Sequence, residues 1–492
     1  MSDYIEKIFE EAGPIAKAMP NYELREEQIE MARAVEKTVY NRDTLVVEAG
    51  TGVGKSFSYL IPVAQYVLEN ESVAIISTNT INLQEQIIHK DIPFLQHALG
   101  KDFKAVLVKG RHNYLCLRRL KRSNFSQKDL FSDEYEMRQF SRIVAWSHTT
   151  KDGSLYDLDE APDPRVWDML SANTESCMGK KCPCYKKCFF QKAREAMHGA
   201  RLLIVNHHLF FSNLALHEEQ KAIFPEYDIL VFDEAHNIEH VATGHLGAAI
   251  SNTGVRYLME LLFNPKKQKG FLLTVGDQDS MEWVELIRRR SDAFFKRVRE
   301  YFEEGRLNEE SDSLRIRRPD FIDNDLAVPL LKLAESLTDA KVNARTKEDE
   351  LEIASFIKKI NTLNNSLDII LSQGLGNYVY WVECSRNRKA KNVSINAAPI
   401  NIGEILKEKL FSADRPMILT SATLSIDKGS FSYFRERVGI GEAQDLKLGS
   451  PFDYKNQVRM YIARDMPAPS KINEYAQAVA EKIKRYIELT EG

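Results

Sequence analysis

TLVVEAGTGVGKS, residues 44–56, is the most informative stretch of this sequence. Its first residues are mostly apolar or β-branched, which predicts a short strand buried in a parallel sheet. A glycine-rich turn follows, and Phe57 to Glu69 is predicted to form a helix. Glycines let backbone N–H groups curl around an anion, and a helix N-terminus adds partial positive charge. The stretch therefore predicts a phosphate-binding loop of the G-x-x-x-x-G-K-[ST] type, with Ala49 in place of the first glycine.

Each position of this loop has an expected role. Lys55 is predicted to reach the β- and γ-phosphates of a nucleotide, and Ser56 to hold Mg²⁺. The phosphate cradle is predicted to comprise Gly50, Thr51, Gly52 and Gly54. The alternative is a glycine-rich turn with a solvated lysine, and the flanking strand and helix argue against it.

A second candidate lies upstream, in YELREEQ at residues 22–28. Arg25 and Gln28 fall one turn apart on the same helical face. A glutamine amide can pair with both the donor and the acceptor edge of adenine, so the pair is a candidate adenine reader. An exposed helix face explains the same spacing.

An acidic pair follows another predicted strand, Tyr227 to Phe232, in the sequence DEAH at residues 233–236. Asp233 is expected to hold the Mg²⁺ shell, and Glu234 to orient and deprotonate the attacking water. His236 is a candidate sensor of that geometry. The predicted strand before Ser421 ends in small hydroxyl residues, which either relay the state of the acidic site or are merely a strand terminus.

The six cysteines are unevenly distributed, because four of them lie between residues 177 and 188. The sequence has no secretion signal, so reduced thiols are expected rather than disulfides. Four thiolates suit either tetrahedral zinc or an iron–sulfur cluster, and one remote cysteine joining a group of three favours the cluster. Five candidates compete for four places, and Cys184 is set aside. The remaining candidates are Cys116, Cys177, Cys182 and Cys188. Incidental buried cysteines are the alternative.

Composition excludes several classes of protein. A chain of 492 residues exceeds one core, and 43% hydrophobic with 28% charged residues is typical of a soluble protein. The sequence lacks a signal peptide and an apolar run of membrane-spanning length, so no membrane partner and a cytoplasmic location are expected. The net charge of −4 argues against wholesale coating of nucleic acid, although a local basic groove stays possible. Arginines interleaved with apolar residues between 283 and 302 are more typical of a solvated helix face than of a nucleic-acid track.

Taken in order, these motifs resemble the DinG/XPD-type helicases of superfamily 2, with the bacterial DinG side closer. The resemblance covers nearly the whole chain. It rests on YELREEQ, EAGTGVGKS, STNTINLQEQ, KGRHNYLC with its downstream cysteines, DEAH and TSATLS, and, for the DinG side, on DEAH with APINIG and GSPFDY. The most specific part is KGRHNYLC with those cysteines, inserted between the phosphate loop and DEAH.

The resemblance implies an α/β fold, with a RecA-like P-loop NTPase parallel sheet that carries an iron–sulfur insertion and a helical arch insertion. The expected regions are motor domain 1, first part (1–108); iron–sulfur insertion (109–195); second motor part with DEAH (196–244); helical arch insertion (245–375); third motor part with TSATLS (376–465); and linker with the start of a second lobe (466–492).

The same resemblance implies an ATP-driven enzyme that moves 5′→3′ on single-stranded DNA. ATP, Mg²⁺ and a [4Fe-4S] cluster are the implied cofactors. Position by position, the resemblance implies that Lys55 and Ser56 bind the phosphates and Mg²⁺, that Asp233 binds Mg²⁺, and that Glu234 is the catalytic base. It also implies that Arg25 and Gln28 contact adenine. The implied cluster ligands are Cys116, Cys177, Cys182 and Cys188. Cys184 has no place in that set. Single-stranded or forked DNA is the expected partner of a monomer, with single-stranded-DNA-binding or replication and repair proteins as further partners.

The family has a second RecA-like lobe, and this sequence ends about where its first strand is expected. The expectation is therefore an N-terminal portion of a helicase, with impaired unwinding because charge stabilisation from across the cleft is missing. Two alternatives remain: a switch that binds ATP and DNA without translocating, and a metal-held or redox-responsive DNA-binding module.

Overall fold

The computed structural model describes residues 3–125, 134–174, 176–216, 222–305, 311–385, 392–426, 429–458, 460 and 462–490. Residues 1–449 form one compact unit and residues 450–492 form another. The described strands, in chain order, are β1 (Thr44–Glu48), β2 (Ala74–Thr78), β3 (Ala105–Leu107), β4 (Leu202–Asn206), β5 (Ile229–Asp233), β6 (Ala248–Ser251), β7 (Ser313–Arg315), β8 (Tyr378–Cys384), β9 (Val393–Pro399), β10 (Met417–Ser421) and β11 (Gln444–Lys447).

A seven-stranded parallel sheet occupies the centre of the larger unit, in the order β11-β1-β10-β5-β2-β4-β3. The α/β fold predicted from the sequence is thus confirmed. Strands β2, β5 and β10 are buried along their whole length, as expected for a parallel sheet covered on both faces. Two apolar clusters cover the two faces. The helices around this sheet are Asp3–Phe9, Pro14–Ala18, Glu26–Asn41, Lys55–Glu69, Ile81–Gln86, Ile92–Leu99, His207–Leu214, Ile238–Leu246, Ile402–Leu406 and Ser432–Val438.

An insertion between β3 and β4 has its own small apolar core, in which Tyr114, Phe140, Trp167 and Phe189 take part. Its helices are Leu117–Phe125, Glu134–Trp146, Pro164–Leu170 and Phe189–Met197. Between these helices the chain runs mostly in turns and single helical turns, which carry the cysteine-rich segment.

The second insertion combines helices with a four-stranded antiparallel sheet of order β6-β9-β8-β7. Its helices are Asn252–Leu262, Phe271–Val275, Gln278–Gly305, Ala327–Val342 and Lys347–Ser372. The expected boundary at residue 375 is placed differently in the structure, because β8 and β9 pair with β6 and β7 and not with the parallel sheet. Tyr380, Val382 and Ile395 pack into the core of these helices, so the insertion extends to Pro399.

The smaller unit contains the helices Tyr454–Gln457 and Ile472–Thr490. It begins at Ser450, before the boundary at 466 that the sequence suggested. Across the described ranges, we find no helix that is both long and apolar enough to cross a membrane.

Candidate nucleotide site and four-cysteine cavity

The glycine-rich loop lies at the carboxyl end of β1 and leads into the helix Lys55–Glu69. Gly52 and Gly54 both adopt a φ of 87°, a left-handed conformation that favours glycine. A Cβ atom on Gly54 would lie 2.1 Å from the Gln28 amide nitrogen, so a larger residue would also displace the Gln28 side chain from the loop. Ala49 is fully buried and has no positive φ, which explains why alanine serves at this position.

Arg25 and Gln28 hold the glycine-rich loop from behind. Arg25 Nη1 donates to the carbonyl oxygen of Gly52 at 2.6 Å, and Gln28 Nε2 donates to that of Gly54 at 3.1 Å. The two side chains were predicted to read adenine. In this structure they bond to the backbone of the glycine-rich loop, and their contact with adenine stays a prediction.

The acidic residues reach the glycine-rich loop because strand register aligns the carboxyl ends of β1, β10 and β5. Glu48 lies opposite Ser421, and Thr420 lies opposite Asp233. Lys55 Nζ consequently lies 3.4 Å from Glu234 Oε1, although the two residues are 179 positions apart.

Asp233 is buried and held by two hydrogen bonds. The Tyr59 hydroxyl donates to Asp233 Oδ2 at 3.1 Å, and the backbone N–H of Glu234 donates to Oδ1 at 3.0 Å. Burial, and then the charge of Glu234, raise the pKa of Asp233 to about 6, although Lys55 acts in the opposite direction. A buried carboxylate with a raised pKa beside a lysine is the environment expected of a cation ligand.

Glu234 has a φ of 55°, which is uncommon for a residue other than glycine. Such backbone strain persists where the surroundings enforce it, and it is concentrated at functional sites. Here it turns the Glu234 carboxylate back towards Lys55.

His236, Ser421 and Glu234 form a hydrogen-bonded chain. Asn237 Nδ2 donates to His236 Nε2 at 2.9 Å, which places the imidazole proton on Nδ1. Nδ1 then donates to Ser421 Oγ at 2.6 Å, and the Ser421 hydroxyl donates to Glu234 Oε2 at 3.4 Å. The structure thus brings together the residues that the sequence suggested as a sensor and relay.

Four cysteines line one cavity of about 140 Å³ in the first insertion. They are Cys116, Cys177, Cys182 and Cys188. Cys184 is buried and does not line this cavity. Within the described part of the chain, no three His, Cys, Asp or Glu side chains stand close enough together to hold a single metal ion. The four cysteines share the lining of this one cavity.

The surroundings of three of these cysteines disfavour the ionised, thiolate form of their side chains. Burial raises the pKa of Cys116, Cys182 and Cys188, and the charges of the other three thiols raise that of Cys188 further. Three arginines also line the cavity and offset thiolate charge, namely Arg111, Arg118 and Arg194.

Comparison with known proteins finds similar helicases. The DEAD_2 family model matches residues 76–255, from β2 through the first insertion to DEAH and beyond. The ATP-dependent DNA helicase YoaA of Escherichia coli is 29% identical over 98% of this chain and 72% of its own length. The ATP-dependent helicase DinG of Mycobacterium tuberculosis is 28% identical over 96% of this chain and 70% of its own length.

The chain is similar to DinG-type helicases over almost its whole length. Among solved structures, one titled XPD_Helicase has a TM-score of 0.48 and 15% identity, and the match covers 93% of this chain and 70% of that one.

Two features of the chain were missed in the sequence. Tyr59 lies three residues after Ser56, a helical spacing that places both side chains on one face, so its role was accessible in principle. The second feature is a buried ion cluster in which Arg118 and Arg119 bind Glu352, a residue of the second insertion. No local pattern pairs residues more than 230 positions apart.

Proposed function

We propose that this chain is an ATP-dependent DNA helicase that couples ATP hydrolysis to 5′→3′ movement on single-stranded DNA. The observation that carries the proposal is the convergence of Lys55, Asp233 and Glu234 beside a glycine-rich loop. The family relationship supports DNA as the substrate, and the direction of movement rests on the sequence resemblance. The domain roles expected from the sequence, motor domain with iron–sulfur and arch insertions, form part of the same proposal.

The chain's own residues have distinct roles in this proposal. Backbone N–H groups of the loop and the Lys55 ammonium bind and orient the phosphates. Ser56 and Asp233 would hold the Mg²⁺ that neutralises phosphate charge. The Glu234 carboxylate accepts a proton from the water whose oxygen attacks the γ-phosphorus, and ADP leaves. The hydrogen bond from Ser421 keeps the second carboxylate oxygen of Glu234 in place.

A [4Fe-4S] cluster is the cofactor that the four-cysteine cavity fits best. A single tetrahedral zinc needs all donors at about 2.3 Å from one point, whereas in a cluster each thiolate binds a different iron. Four thiols and three arginines that line one cavity suit such a cluster, because the cluster core together with its four thiolates carries net negative charge. Cys116, Cys177, Cys182 and Cys188 would hold it. When bound, it would supply one-electron chemistry and tie the entrance of the insertion to its cysteine-rich segment.

The deciding experiment measures ATP hydrolysis by the anaerobically purified chain with and without single-stranded DNA. Wild type is compared with Glu234→Gln and with Glu404→Gln, which removes an exposed carboxylate outside the site. We expect DNA-stimulated turnover that falls about 100-fold or more in Glu234→Gln, with nucleotide binding retained. Turnover that is indifferent to DNA, or unchanged in Glu234→Gln, would overturn the proposal.

The direction of movement along single-stranded DNA is tested separately, with partial duplexes that carry either a 5′ or a 3′ single-stranded tail. Unwinding that depends on a 5′ tail supports 5′→3′ movement. Equal or preferential unwinding from a 3′ tail contradicts it and leaves the assignment of the hydrolytic site intact.

A further inference from the structure

Arg118 is an unusual arginine because it is buried next to the four-cysteine cavity. Only 5% of its surface is exposed, and it lines the cavity together with the four cysteines. Its Nη2 donates to the carbonyl oxygen of Ser176 at 2.8 Å, beside Cys177. Its Nη1 has no hydrogen-bond partner among the described residues. A buried guanidinium N–H without an acceptor is costly, so an acceptor is expected there.

The second insertion fixes Arg118 in this position. Glu352 Oε1 lies 3.3 Å from Arg118 Nη2 and 3.1 Å from Arg119 Nε. Glu352 is itself buried, and burial would raise its pKa, but the arginines outweigh burial and hold its pKa below the ordinary value. The ion cluster therefore keeps Glu352 charged and Arg118 oriented.

We propose that Arg118 Nη1 donates a charge-assisted hydrogen bond to a cysteine sulfur of the bound [4Fe-4S] cluster, and that Glu352 positions Arg118 for it. This inference rests on the cofactor assignment made above. Hydrogen bonds to cluster sulfurs and nearby charge set the reduction potential of such clusters. Through this contact, a residue of the helical insertion acts on the electronic state of a cofactor bound by the other insertion.

Arg119 provides a matched control. It binds the same Glu352 and also donates to the carbonyl oxygens of Asp168 and Ser171, at 2.8 Å each. It does not line the cavity. Substitution of Arg119 therefore disturbs the same ion cluster without removing a hydrogen-bond donor to the cofactor.

The test uses the full chain, purified without oxygen, as wild type, Arg118→Gln, Arg118→Lys, Arg119→Gln and Glu352→Gln. Iron and acid-labile sulfide are measured first. The midpoint potential is then found by titration with dithionite, followed by electron paramagnetic resonance of the one-electron-reduced form. We expect Arg118→Gln to shift the potential to more negative values and by more than Arg119→Gln, because the reduced cluster loses a cationic donor. Arg118→Lys should fall between wild type and Arg118→Gln.

Glu352→Gln is expected to shift the potential in the same direction as Arg118→Gln but by less, because Arg118 is no longer held in place while the loss of a buried negative charge partly compensates. A merely structural role for the ion cluster would lower iron content in both variants without this graded shift of potential. If Arg118→Gln does not retain iron, Arg118→Lys and Glu352→Gln decide the question.

If the iron-loaded variants Arg118→Gln and Arg119→Gln shift the midpoint potential equally, or if neither shifts it, the role of Arg118 is overturned. The cofactor assignment is then unaffected. Wild-type chain that holds zinc, or no iron, overturns both the cofactor assignment and this inference.

Discussion

The nucleotide site and the four-cysteine cavity are both built from residues distant in sequence, but they are held in different ways. Lys55 and Glu234 meet because parallel strands align their carboxyl ends at one edge of a hydrogen-bonded sheet. Two cysteines of the cavity, Cys182 and Cys188, follow single helical turns. We therefore expect the sheet edge to form without its ligand and the cysteine-rich turns to depend more on what the cavity binds.

Charge balance separates the two sites as well. At the candidate nucleotide site, one lysine lies close to two carboxylates, an arrangement suited to exchanging an internal ion pair for a nucleotide and its cation. At the cavity, burial raises the pKa of the Cys116 thiol, so a thiolate there would need a metal centre that binds it and the neighbouring arginines that offset its charge. The comparison predicts that nucleotide-site variants lose activity and keep their fold, while cavity variants lose their cofactor.

The largest effect is expected from Lys55→Ala. Loss of the ammonium that orients the phosphates should lower ATP hydrolysis about 1,000-fold. Fluorescent nucleotide titration and a turnover assay measure it. The control is Lys37→Ala on an exposed helix position. Thermal unfolding of Lys55→Ala should match wild type, and a large drop in its melting temperature would contradict the idea of a preformed sheet edge.

Cys182→Ser and Cys184→Ser test the cavity as a matched pair only two residues apart. We expect Cys182→Ser to lose most of its iron, because serine is a poor ligand for iron. Cys184→Ser should retain iron, because Cys184 lies outside the cavity lining. Iron analysis and visible absorption report the outcome, and equal iron loss in the two variants would show that the lining cysteines are not a distinct ligand set.

Glu48, at the end of β1, tests the stability of the sheet edge. Burial alone would raise its pKa, but hydrogen bonds from the Ser425 and Leu424 backbone, Lys447 and the Ser425 hydroxyl lower it to about 2. Since the folded pKa lies below the ordinary 4.5, the stabilisation is present above pH 4.5 and is lost as the pH falls towards 2.

Glu48→Gln should therefore lower the free energy of unfolding by about 2 kcal/mol at pH 7 and by much less near pH 2 to 3. Urea denaturation of both proteins across this range gives the difference. A difference that does not shrink at low pH would mean that the carboxylate charge is not what stabilises this edge.

Tyr59→Phe is expected to have the smallest effect. It removes one hydrogen bond to Asp233 and should raise the Mg²⁺ concentration needed for half-maximal hydrolysis about 10-fold. Tyr40→Phe, which removes a hydroxyl bonded to Glu69 on the protein surface, is the control. If hydrolysis by both variants depends equally on Mg²⁺ concentration, Tyr59 does not contribute to the Mg²⁺ site.

Sequence reasoning named Lys55, Asp233 and Glu234, which the structure brings together at one edge of the sheet, because strand, turn and helix signals are local and the carboxyl ends of parallel strands share an edge. Their roles at a nucleotide stay predictions. Sequence reasoning also selected the four cysteines that line the cavity. It placed the end of the second insertion too early, because β8 and β9 look like any buried strand pair and only their partners reveal the sheet to which they belong.

The sequence by itself determined the chemistry of this protein: a phosphate loop, an acidic strand end and a set of thiols, each written in consecutive residues. Tertiary structure alone decided which charges meet. Lys55 with Glu234, Glu48 with the turn after Ser421, and Arg118 with Glu352 are long-range pairs whose partners depend on the path of the chain between them. Local propensity has no information about such pairs, because burial and packing select them after the elements have formed.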